Sequence, residues 1–203
     1  MLSNHPISIV SVNMRRRNPA FSTFLQTTTF DVVLVQEPWF YRIGTDRSDT
    51  DPDGVDVLGT IQNDHFCSYL PLHSGSDICK VAIFVRSKLA QSVSIIPYLS
   101  HPSASLSSMI LDIVIADETL CIYNVYHDCP DTGHGLSHLL SHSLDHTIPT
   151  IIFGDFNTHS PSWSLPRATT SSWATALEDW FEGEGLIPQN PQHTPTWRGT
   201  EGQ

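Results

Sequence analysis

Four consecutive apolar residues, Val32-Val33-Leu34-Val35, leave neither side of a strand free for water. Successive side chains of a strand point to opposite faces, so such a run demands cover above and below its sheet. It ends in Gln36-Glu37-Pro38, with a proline where the strand must stop. Upstream, residues 7–13 (ISIVSVN) alternate apolar and polar, as in a strand that ends at Asn13. A short helix is expected between the two, with Asn18 as its cap, Pro19 at the first helical position, and Phe21, Phe24 and Leu25 at helical spacing. Further strands are expected at 65–70, 79–86, 92–98, 107–116, 119–126 and 150–155, with a hairpin turned at Asp117-Glu118. Helices are expected at 134–146 and at 171–185, where a capping serine precedes Trp173, Leu177 and Trp180 at helical spacing and a terminal glycine. Residues 42–64, polar and rich in Asp and Gly, read as a long surface loop. Many strands with helices toward both ends of the chain predict an α/β fold, a four-layer α/β sandwich in which two stacked mixed sheets are flanked by helices.

At 203 residues and 39% hydrophobic, the chain can bury one substantial core, and a single domain over residues 1–203 is expected. Cys67, Cys79, Cys121 and Cys129 lack the paired spacing of a zinc or redox motif, which predicts a reduced, intracellular protein. The first apolar stretch is too short for a signal peptide, and its basic residues follow it. No apolar run approaches the roughly 20 residues of a membrane span, so a soluble protein without a membrane partner is expected. A formal charge of −11 weighs against the broad basic footprint of a duplex binder. Carboxylates holding a divalent cation, together with a local cluster of cations, can still bring an acidic protein to a nucleic acid. Arg15, Arg16 and Arg17 form such a cluster directly after the first strand and are the candidate contacts to DNA phosphates; the plainer alternative is a solvated basic turn.

Polar residues with chemical capability recur where apolar strands end. Asn13, Glu37, Tyr126 followed by His127, and Asp155-Phe156-Asn157 all hold such positions. Together they offer a carboxylate for a hard cation, a second to orient or deprotonate water, amides for phosphate oxygens and a phenolic donor. That inventory suits metal-assisted phosphodiester cleavage.

These residues resemble the ordered motifs of the endonuclease/exonuclease/phosphatase superfamily: SVN at Asn13, QEP at Glu37, YNVYHDCP at Tyr126 and GDFNTHSPSW at Asp155 and Asn157. His159 and Trp163, with Thr194-Pro195-Thr196-Trp197 downstream, are similar to the apurinic-endonuclease-like domain of non-LTR (LINE-type) retrotransposons. The resemblance covers essentially the whole chain. It implies that Glu37 binds Mg²⁺, with Mn²⁺ as a substitute, and that Asn13 supports the metal site and a phosphate oxygen. It further implies that Asp155 aligns or activates the attacking water, Asn157 stabilises the pentacovalent phosphorane, and Tyr126 hydrogen-bonds the scissile phosphate. His159 and Trp163 mark the retrotransposon branch and are expected to be structural. The implied partners are DNA and a reverse-transcriptase domain of the same polyprotein, in the nucleus.

In that family the threonine motif is followed by an aspartate-bearing strand and a Ser-Asp-His triplet that supplies a catalytic histidine. This sequence ends at TWRGTEGQ, so the domain is expected to be C-terminally truncated and its turnover weakened. Two alternatives stand beside the nuclease: a phosphatase or phosphodiesterase acting on lipid, inositol phosphate or RNA, and a non-catalytic remnant or incomplete gene model. Two other signals are set aside. Asp49, Asp51 and Asp53 with Gly54 imitate a calcium loop, but Thr60 holds the position of the bidentate glutamate. His134, His138, His142 and His146 are spaced for one helix face yet lack the glutamate of a zinc protease motif, and an exposed helix face is expected.

Overall fold

The doubly apolar run becomes the inner strand of a sheet that is covered on both sides. A computed structural model describes residues 6–48, 51–71, 79–98, 107–128, 134–163 and 170–189. The first part of the chain gives β1 (Ile9–Asn13), α1 (Asn18–Thr27), β2 (Val32–Gln36), β3 (Phe40–Ser48), β4 (Asp51–Thr60), β5 (Phe66–Tyr69) and β6 (Val81–Arg86). The rest gives α2 (Ser87–Ala90), β7 (Ser94–Pro97), β8 (Ser108–Ile115), β9 (Glu118–Tyr126), α3 (His134–Leu140), β10 (Thr150–Asp155) and α4 (Ser172–Gly183). One sheet runs β1-β2-β6-β5 and a second β10-β9-β8-β7. Each is mixed, with one parallel pair at its edge, β1 with β2 and β10 with β9, and antiparallel pairs elsewhere.

Alternation along β2 explains the layering. Val32 and Leu34 join Val81, Ile83 and Val85 of β6 against Met109, Leu111, Ile113 and Ile122 of the second sheet. Val33 and Val35 point the other way, onto Phe21 and Leu25 of α1 and Phe84 of β6. On the far side, Ile110, Tyr123 and Val125 are covered by Leu136 and Leu139 of α3 and Leu177 and Trp180 of α4. The order is therefore helix, sheet, sheet, helix, the expected sandwich. Each fully buried Val, Leu or Ile contributes about 1.5–3 kcal/mol relative to exposure.

Three expectations need correction. Residues 42–64 are not a loop. Most of them form the antiparallel ribbon β3–β4, whose register shifts between Arg42 and Gly44 and between Asp46 and Ser48. Tyr41, Ile43 and Val57 of the ribbon are exposed, Ile43 to 62%, so it lacks the core-facing alternation that marks other strands. Gly59 lies opposite Tyr41, and a Cβ there would stand 2.7 Å from the tyrosine ring. The helix expected at 134–146 stops at Leu140, which leaves His142 and His146 outside it. Finally, α1 begins at Asn18 with Arg17 in the cap position and no side-chain cap bond, whereas Ser171 caps α4 by accepting from Ala174 N at 3.2 Å. The imitation calcium loop lies largely within β4. The Thr194–Trp197 motif and Cys129 lie outside the described residues. Cys67, Cys79 and Cys121 are free thiols, and no described helix is long and apolar enough to cross a membrane.

Candidate active site

The two parallel strand pairs end at the same rim. Parallel register sets Asn13 beside Gln36 in the first sheet and Asp155 beside Tyr126 in the second. Because β1 lies against β10 and β2 against β9, these four strand ends meet across the interface between the sheets. Ligands of open α/β sheets collect at such carboxyl ends.

One side chain joins the two halves. Asn13 Nδ2 donates to Glu37 Oε1 at 2.9 Å and to Asp155 Oδ2 at 2.8 Å. Its Oδ1 accepts from Arg15 N at 3.0 Å. Asp155 Oδ1 accepts from Asn157 N at 3.3 Å, and Asn157 Nδ2 donates to the His127 carbonyl at 2.7 Å. The Tyr126 hydroxyl bonds Glu37, and its pKa is raised by burial, by the charges of Glu37 and Asp128, by that bond and by Asp155. It stays a protonated donor at neutral pH.

The backbone here is strained. Of the five described non-glycine residues with positive φ, four border the site: Arg15 (45°), Arg16 (57°), Glu37 (49°) and Asn157 (46°). A left-handed L-residue costs about 1–2 kcal/mol. Hydrogen bonds offset it, with Glu37 N on Lys80 O and Arg16 N on Glu37 O, both at 2.8 Å. Strain concentrated at one rim is a mark of a functional site.

The donor chemistry fits a hard cation. Glu37, Asp155 and Asn13 Oδ1 supply only oxygen, and two carboxylates share one neutral amide nitrogen. Among the described residues no cluster of three or more His, Cys, Asp or Glu could cage a metal. Few protein oxygens completed by water and substrate phosphate is the Mg²⁺ mode of binding.

A model of the endonuclease/exonuclease/phosphatase family matches residues 10–202. The chain belongs to that family. Among solved structures, the endonuclease domain of TRAS1, a telomere-specific non-LTR retrotransposon, is similar at a TM-score of 0.70 and 16% identity, over 97% of this chain and 79% of that one. A humanized D. rerio TDP2 aligns over 90% of this chain and 68% of that one, at 12% identity and a TM-score of 0.49. A family protein from Leptotrichia buccalis aligns over 87% and 72%, at 15% identity and a TM-score of 0.46. No curated protein matches in sequence. The TRAS1 likeness is one of fold.

Within this endonuclease/exonuclease/phosphatase-family rim, the structure brings Asn13, Glu37, Tyr126, Asp155 and Asn157 together. Arg15, Arg16 and Arg17 are exposed in the turn beside them. His159 points to solvent, and its carbonyl accepts from Ser171 N at 3.2 Å. Trp163 donates from Nε1 to Thr158 O at 3.2 Å and meets Phe181 edge-on, pinning the segment after Asp155 onto α4.

Three participants have no sequence signal of their own. Gln36 Nε2 donates to Asn124 Oδ1 at 2.6 Å, and Asn124 Nδ2 donates to Val35 O at 3.0 Å and Ala82 O at 2.9 Å. This buried amide pair ties β9 to β2 and β6 directly beneath Glu37. Lys80 holds both Asp128 carboxylate oxygens at 3.0 Å and lies 5.5 Å from the centre of the Tyr126 ring. Asn124 and Gln36 end or punctuate apolar runs as ordinary strand residues do, and Lys80 merely precedes one.

Proposed function

We propose that the chain is a Mg²⁺-dependent phosphodiesterase that nicks DNA, as the endonuclease of a non-LTR retrotransposon. The observation that carries this reading is the single amide, Asn13 Nδ2, on which the carboxylates of both sheets converge at 2.9 and 2.8 Å. That convergence supports a cation-binding carboxylate and a base acting at one small centre. The fold likeness to the TRAS1 endonuclease domain supports DNA as the substrate.

Glu37, with Asn13 and Asp155 beside it, would hold Mg²⁺ or Mn²⁺. When bound, the cation supplies Lewis-acid stabilisation of the phosphoryl oxygens. Asp155, oriented by Asn13 and by Asn157 N, takes the proton of the attacking water. Asn157 is fixed by one amide hydrogen on His127 O; the other is the donor to the phosphorane oxygen. Tyr126, kept protonated, donates to the scissile phosphate. Arg15, Arg16 and Arg17 contact flanking phosphates. The nick leaves a 3′-hydroxyl for a reverse-transcriptase domain of the same polyprotein, working in the nucleus.

The test is conversion of supercoiled plasmid to relaxed circles by purified protein in Mg²⁺. Nicking is expected in Mg²⁺ or Mn²⁺, absent with EDTA, and reduced about 10²-fold or more by Asp155→Asn. Folded protein that leaves the plasmid supercoiled, or an Asp155→Asn variant as active as the parent, overturns the assignment.

A further inference from the structure

We infer that Lys80 is a second phosphate-binding group at the mouth of the site, held in reserve by Asp128 and released to a DNA phosphate next to the scissile one. The inference rests on the phosphodiesterase reading for its substrate and extends it to a residue that no motif marks. Lys80 immediately precedes β6, and its carbonyl accepts from the backbone N of Glu37 at 2.8 Å, so the backbones of the two residues are tied together. Its ammonium lies over the Tyr126 ring, whose hydroxyl bonds Glu37. The ring face attracts the cation and helps to hold it at this lip.

Charge distribution points the same way. The chain carries −11 formally, yet Arg15, Arg16, Arg17 and Lys80 gather at the site end of the sandwich. Arg16 N bonds Glu37 O and Glu37 N bonds Lys80 O, both at 2.8 Å, so the two cationic residues leave the backbone on either side of Glu37. Arg86 and Lys88 lie at the opposite end of β6, where Arg86 is bonded to Thr28 O and Phe30 O. An acidic protein that must approach a polyanion needs cations at the contact, and Lys80 lies 5.5 Å from the centre of the Tyr126 ring.

Asp128 makes the arrangement conditional. Both of its oxygens contact Lys80 Nζ, while its side chain remains 44% exposed against 16% for Lys80. The pair is part-buried on the Lys80 side and open to water on the Asp128 side, and a phosphodiester oxygen arriving at the lip competes with the carboxylate for the ammonium. A strand with phosphates on both sides of the cleavage point uses this contact; an isolated phosphate ester does not.

The experiment is fluorescence anisotropy with a labelled duplex oligonucleotide, in Asp155→Asn protein so that the DNA stays intact, over a range of salt concentrations. Lys80→Met is expected to weaken binding about 5- to 10-fold and to lower the salt slope by about 1. Asp128→Asn is expected to tighten binding by a similar factor. A purely structural ion pair predicts the same direction for both substitutions, since either breaks it. In the Lys80→Met background Asp128→Asn is expected to have no further effect; a full effect there means a general field and overturns the inference. Wild-type protein that nicks while neither substitution changes affinity overturns the role of Lys80 alone. Binding with the expected signs but no nicking overturns the phosphodiesterase and leaves the phosphate contact standing. Wild-type protein that binds no DNA overturns both.

Discussion

At Gly154 the fold accepts no side chain. A Cβ there would stand 2.5 Å from Val125 O on the neighbouring parallel strand, and backbone cannot yield as a flexible side chain can. Gly154→Ala therefore pushes β10 away from β9 and carries Asp155 with it, off the Asn13 amide. The expected result is a loss of about 1–3 kcal/mol in urea unfolding. A nicking rate reduced about 10²-fold accompanies it, since small misplacements of a reacting group are that costly. Unchanged activity in a folded variant refutes the link. Arg16 presents the opposite case. Its φ of 57° suits glycine, so Arg16→Gly is expected to raise stability by about 1 kcal/mol while weakening DNA binding. A variant less stable than its parent shows that the side chain repays the strain through contacts of its own. Asn13, Glu37, Tyr126, Asp155 and Asn157 were legible because each is a polar group at the end of an apolar strand. The left-handed backbone of Glu37 was not, because glycine and asparagine, as at Asn157, are the residues that advertise that conformation and glutamate does not.

Between elements, the decisive bond is one that no strand pattern contains. Asn124 is fully buried in β9, and its amide donates to Val35 O and Ala82 O while accepting from Gln36. Two stacked sheets can slide over apolar contacts, which have no direction; these hydrogen bonds fix their offset and with it the alignment of Tyr126 to Glu37. Asn124→Leu preserves approximate volume but removes the donor from two carbonyls and the acceptor from Gln36. Each buried group so stranded costs about 1–3 kcal/mol, and the shift of the denaturant midpoint measures the sum. A midpoint within error of the parent dismisses the network as the lock between the sheets. The β3–β4 ribbon escaped the sequence for a related reason. Its strands satisfy each other's backbone and owe little to the core, so Asp and Gly are tolerated where a buried strand demands alternation.

For the whole molecule, layers and site location followed from the doubly apolar run and the strand ends, because burial on two faces leaves few architectures open. What composition could not show is how many titratable groups the core would enclose. Burial, aided by Cys121, Asp112, Tyr98 and Glu184, pushes Tyr123 up to about 12, and the bond to Asp112 does the same for Tyr98. Burial pushes the Cys79 thiol up to about 12 as well. In the unfolded chain these groups return to ordinary values of 10.0 for tyrosine and 9.0 for cysteine. Below about pH 9 both states are protonated there and stability is intact. Above it the unfolded chain releases protons that the folded chain retains, so the unfolded state gains and stability falls as pH rises toward about 12. Thermal melting is therefore expected to be level, as far as these groups govern it, from about pH 7 to 8.5 and to fall steadily from about pH 9 to 11; in a Tyr41→Phe background, which removes the exposed phenol, tyrosinate absorbance is expected to appear in step with unfolding rather than before it. In that background, tyrosinate that forms at its ordinary pH in still-folded protein contradicts the burial of Tyr123 and the Tyr98–Asp112 bond and, with them, the packing of the outer face of the second sheet.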